Sequence, residues 1–176
     1  DFTGADLTRA ILNRAELNGA DFVDANLTRA RLAGASLVAA DFTRAKLQVA
    51  NLTQADLHIA RLDEADLTDA ELAGASLINA DLRTAIVQRT SFRGARLTNA
   101  NLEEVDWPAA RLAETDLVGA HLTGSRLEGA DLRRANLAVA RLGEVDWERA
   151  DLREANLQGA SFHMGSTREG LLSSPL

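Results

Sequence analysis

Three histidines and 26 carboxylates are the side chains here that can move protons or hold a metal ion. His58, His121 and His163 are isolated, and none belongs to an HExxH or comparable ligand spacing. Without cysteine there is no thiol nucleophile, disulfide or Cys-based metal site. A Walker-type phosphate loop and a nucleophile elbow are absent too. The carboxylates remain, but acid–base catalysis needs paired groups with separated pKa values in a pocket. Whether a pocket exists depends on the elements that carry them, and a repeat sets those elements.

A large apolar residue, position i, recurs every five residues from Phe2 to Phe162, and all 33 such positions are Leu, Phe, Trp or Val. Position i−2 is Ala in 27 of 32 cases, so a small residue accompanies each large one. The exceptions are Thr90, Val105, Thr115, Ser125 and Val145. A repeat this regular has to be interpreted before anything else. At about 100° per residue a helix would turn about 140° between successive large residues, so no apolar face forms. A flat strand fails as well, because five is odd and the faces alternate. The chain must therefore turn a corner in every unit.

Nine of the 12 glycines stand at i+2, where a tight turn with positive φ is expected. Asp or Asn fills 17 of 33 i−1 positions, as suits a turn residue that bonds nearby backbone. Short extended pieces joined by turns, with Ala and Leu inward, describe a coiling β-solenoid.

Units such as ADLTR, ANLTR, ADLTD and ANLQG resemble the pentapeptide-repeat proteins, whose pattern is A(D/N)LXX. The resemblance implies an all-β fold, a right-handed quadrilateral parallel β-helix with four pentapeptides per coil and no catalytic centre. About eight coils would give a rod roughly 38 Å long at the usual strand spacing. Phe2, Phe22 and Phe42 recur at twenty, and Val105-Asp106-Trp107 recurs as Val145-Asp146-Trp147. The expected organisation is one domain, with repeats over 1–164 and a loop or disordered tail over 165–176.

A solid rod offers no pocket, so the expectation is a protein that is not an enzyme and needs no cofactor. The net charge of −7 opposes direct nucleic-acid binding. No apolar run reaches membrane length and no signal peptide is visible, which points to a cytoplasmic protein. Thr90 with Ile86 and Val87 is a packing adjustment. Trp107 and Trp147 share a column with Leu127 between them, which suits large–small alternation in a core. An indole edge reaching a partner is the alternative. Pro108 fits a corner. The i−1 columns suggest charge ladders: Asp41–Arg61–Asp81, Lys46–Asp66, Asp106–Arg126–Asp146 and Arg96–Asp116.

Sorting outward positions by the implied twenty-residue coil gives four faces. The first, with i at 2, 22, 42 and onward, holds a balance of −6, against −1, +2 and −2 for the others. Its candidate partner-binding residues are Asp21, Asp24, Asp41, Asp63, Glu64, Asp81, Glu103, Glu104 and Glu144. The fourth face carries an apolar strip, Val38, Ile59, Ile78, Val118 and Val139. The leading functional expectation is a non-catalytic scaffold that binds another protein. The alternative comes from the resemblance: some family members mimic DNA, bind DNA gyrase or topoisomerase IV, and confer quinolone-type resistance. Homodimers would form through the coil ends or the apolar face.

Overall fold

Each unit has five backbone N–H groups, and the computed structural model, which describes residues 1–162, shows where they go. The N–H of residue i donates to the next coil, as Leu27 does to Lys46 O at 2.7 Å. The i+2 N–H does the same, Arg29 to Gln48 O at 2.9 Å. The i−1 N–H donates to the coil below, Asn26 to Ala5 O at 2.9 Å. The N–H of the following small residue closes the turn, Ala30 to Leu27 O at 2.9 Å. Only the i+1 N–H is left over. At 16 of the 17 units with Asp or Asn at i−1, that side chain accepts it, as Asn26 Oδ1 does from Thr28 N–H at 3.1 Å. The exception is Asp106, whose i+1 residue is Pro108 and has no N–H. The Asp/Asn of the repeat thus completes the backbone pairing of its own unit.

The chain is a parallel β-helix. Bridges join the i−1 residues to those twenty positions on, from Asp6–Asn26 to Arg141–Ser161, at every step but Ile86–Asp106. With one turn per five residues, each coil has four sides. Phe2, Phe22 and Phe42 stack in successive coils at 5.1 and 4.9 Å. The column of large residues and the column of small ones are buried from Phe22 to Ala150. Positive φ occurs at 31 of the 32 i+2 positions from Gly4 to Gly159, at nine glycines and 22 other residues; Thr84 is the exception. Glycine marks the corner, but most corners form without it.

Trp107 is buried and lies flat on Phe92 at 5.3 Å, with Val87 below it in its own column, so the indole packs the core. Of the expected i−1 ladders, Arg61 reaches Asp41 at 3.1 Å and Arg126 reaches Asp106 at 3.2 Å. Asp81 pairs instead with Arg83 in its own unit, at 2.7 Å. Asp66 takes Gln48 Nε2 at 2.6 Å, and Asp116 takes the Thr98 hydroxyl at 3.2 Å. In all three cases a side chain at i+1 takes the carboxylate in place of the neighbouring coil's i−1 residue. The expected tail, 165–176, and His163 lie outside the described residues.

Candidate functional site: the outer walls

The first face divides its carboxylates by position in the unit. Asp21, Asp41 and Asp81, at i−1, each have one oxygen tied to their own turn, accepting from Val23, Thr43 and Arg83 N–H at 3.0, 2.9 and 3.2 Å. They are half-buried parts of the frame. Asp24, Asp63, Glu64, Glu103, Glu104 and Glu144 stand at i+1 or i+2 and have no such duty. Asp24 grips Arg44 through two bonds of 2.8 and 2.7 Å, and that fork holds its carboxyl below the usual range. Arg44 stands one coil from Glu64 on the other side. Asp63 lies 3.3 Å from Arg61, and Glu103 lies 4.0 Å from His121 Nδ1. Glu64, Glu104 and Glu144 are exposed in one i+2 column and make no ion pair among the described residues. The acidity available to a partner is therefore narrower than the net charge suggests, and four arginines, Arg44, Arg61, Arg83 and Arg141, interrupt it.

The apolar strip on the fourth face is also uneven. Ile59 and Val139 are 47% and 58% exposed, whereas Val38, Ile78 and Val118 are half-buried. Thr98 and Asn99 divide the strip between Ile78 and Val118. Other exposed large apolar residues, Ile11, Val49 and Ile86, lie on the second and third faces.

A surface hollow of about 440 Å³ on the third face departs from the expectation of a rod without pockets. Sequence reasoning missed it; the visible signal was Ala113 standing between Arg93 and Arg133 in one column. Its charges largely answer one another. Arg93 reaches Glu114 at 3.0 Å, Arg134 reaches Glu154 at 2.9 Å, and Arg133 and Arg153 grip Asp131 and Asp151 at 2.7 and 2.6 Å. Arg153 and the turn amide lower Asp151 to about 2, and Arg133 likewise lowers Asp131. Both carboxyls stay ionised near neutral pH, so they make no acid–base pair. His58 and His121 are half-buried on different faces. No group of three or more ligand-type side chains is placed to hold a metal ion among the described residues, and no helix among them is long and apolar enough to cross a membrane.

Comparison with known proteins agrees with this geometry. The family profile for pentapeptide repeats matches in eight copies, over residues 1–37, 20–58, 50–89, 60–99, 90–129 and 130–163. Among solved structures, HetL of Nostoc sp. strain PCC 7120, a pentapeptide repeat protein involved in heterocyst differentiation regulation, is 34% identical. The match covers 94% of this chain and 77% of that one, with a TM-score of 0.46. Full-length QnrB1, a plasmid-mediated fluoroquinolone resistance protein, is 17% identical over 95% of both chains, with a TM-score of 0.50. At that identity the likeness is one of fold. A pentapeptide repeat protein of the Arabidopsis thaliana thylakoid lumen is 34% identical over 57% of this chain and 63% of that one, with a TM-score of 0.36. No curated protein matches. A profile that spans nearly every unit, on a frame whose backbone bonds explain each residue of the motif, places this chain in the pentapeptide-repeat family.

Proposed function

We propose that the chain is a non-catalytic protein-interaction scaffold whose first face receives the basic surface of another protein. One observation carries this reading: Glu64, Glu104 and Glu144 are exposed carboxylates that the fold does not use. Charge placed this way steers and selects partners more than it adds raw affinity. The reading includes a right-handed course, about eight coils and a cytoplasmic location. Ile59 and Val139 supply apolar contact on the fourth face, where homodimers would also form.

A second reading, binding of a type II topoisomerase in place of DNA, is favoured by the concentration of acidity on one wall of a rod. It inherits a difficulty from Arg44, Arg61, Arg83 and Arg141, which break the acidic columns, and from the arginines of the third face. Two experiments separate the readings. In a gyrase supercoiling assay, absence of both inhibition and drug protection at micromolar protein removes the topoisomerase reading and leaves the scaffold. Partner capture by the native chain is then compared with capture by Glu64→Lys/Glu104→Lys/Glu144→Lys. The scaffold reading expects specific partners to be lost at least about tenfold, as for charge pairs at protein interfaces. Equal capture would mean that the acidic wall only solvates the rod.

A further inference from the structure

We propose that the rod contains a soft joint between two successive coils, one through Leu82, Val87 and Phe92 and the next through Leu102, Trp107 and Leu112. Among the described residues the backbone pairing between other successive coils is complete except at Glu64, one coil lower, whereas here five rungs are missing. Thr84, Val87 and Arg89 do not donate to the coil above, where Glu103, Asp106 and Pro108 carbonyls are the expected acceptors. Asp106 and Arg111 do not donate to Ala85 and Thr90 below. The Ile86–Asp106 bridge is missing from an otherwise regular series. One coil lower, the Glu64 N–H has left the Arg83 carbonyl for the Thr84 hydroxyl, at 2.8 Å. Beside it, Leu62 N–H to Asp81 O and Asp81 N–H to Ala60 O stretch to 3.3 and 3.4 Å.

Three departures from the repeat meet at this point. Thr84 is the i+2 residue that does not take positive φ. Val105 replaces the small Ala, and its N–H does not close the turn onto Leu102, just as Val145 N–H does not close onto Leu142. Trp107, too large for the column, leans onto Phe92, and its indole N–H takes the Ala85 carbonyl at 3.4 Å. That carbonyl is the one Asp106 N–H would use. Trp147 shows the opposite outcome with the same Val-Asp-Trp sequence. There Asp146 N–H keeps its acceptor, Ser125 O at 2.9 Å, and the indole N–H has no partner among the described residues. At Trp107 the indole N–H is on the carbonyl and the rung is absent, whereas at Trp147 the rung is kept and the indole N–H goes unpaired.

Unpaired rungs open at lower cost than paired ones, so fluctuation concentrates at the joint. Thr84 lies in the acidic i+2 column between Glu64 and Glu104. Bending there changes the spacing of Asp63 and Glu64 from Glu103 and Glu104, and so sets the curvature that the acidic wall presents.

Hydrogen exchange read by mass spectrometry on the native chain tests this. Peptides covering 83–89 and 103–109 exchange at least about tenfold faster than those covering 43–49 and 123–129. The combined variant Thr84→Gly/Val87→Leu/Val105→Ala/Trp107→Leu restores the repeat and removes the difference. Brief trypsin treatment of the native chain gives a second readout that needs no variant, with the first cuts within 1–162 falling after Arg83 or Arg89. Uniform exchange along the rod, first cuts elsewhere in that span, or an unchanged difference in a folded repaired chain would overturn the joint.

Discussion

Asn26 shows what the commonest polar residue of the repeat is for. Its side chain takes the one N–H of the unit that neither the ladder nor the turn accepts, and it also receives the Thr28 hydroxyl at 2.7 Å. Asn26→Ala leaves that amide to solvent and lowers stability by about 1 kcal/mol in denaturant unfolding. The same duty draws the i−1 aspartates into the acid response. Arg153 and its amide hold Asp151 near 2, and hydrogen bonds from arginines lower Asp81 and Asp131 as well. A folded-state pKa below the unfolded one stabilises above the unfolded value, near 4, and that stability is lost as pH falls through the folded value. Thermal stability therefore holds down to about pH 4 and declines between about pH 4 and 2, with Asp151 titrating last by NMR. Ser125 reverses the logic. Its buried hydroxyl has no partner among the described residues, so Ser125→Ala, which restores the repeat, raises stability by about 1 kcal/mol.

The five-residue unit was the most legible element, because a large apolar residue at i recurs without a slip, Ala usually precedes it at i−2, and burial follows both. The corner was legible from nine glycines, but its tolerance was not. Val49, Ile59 and Val139 hold φ of 60°, 51° and 52°, which β-branched residues rarely accept. No local preference explains those residues; the rungs above and below each corner impose the conformation. Relief of that strain is measurable. Ile59→Gly raises stability by a few tenths to about 1 kcal/mol, the strain removed less the extra freedom of the unfolded chain. A loss of stability would mean that Ile59 packs on its wall more than it strains the corner. The charge ladders were less legible, because a column of residues records register but not the reach of arginine. Asp81 answers to Arg83 in its own unit, and spacing by twenty does not show that. The joint was illegible for a related reason: Thr84, Val105 and Trp107 are each mild departures, and only their meeting on adjacent coils opens the ladder.

At the scale of the molecule, a chain that buries its apolar columns and pairs its backbone between successive coils offers chiefly its walls. The acidic first wall, the broken apolar strip and the arginine-ringed hollow all depend on residues twenty apart being neighbours. Family membership was readable from the units alone, whereas the division of the acidic wall into frame residues such as Asp41 and free ones such as Glu104 needed hydrogen-bond partners. Every face assignment therefore stands on the coil length, and the absence of cysteine allows a clean test. In a parallel ladder, side chains one coil apart sit about 4.8 Å from each other, within disulfide reach. The pair Gln48→Cys/Thr68→Cys should oxidise to a single intramolecular disulfide, and Gln48→Cys/Thr53→Cys, on neighbouring walls, should stay reduced under the same conditions. Closure of the second pair in place of the first would contradict the coil, and with it every wall described above.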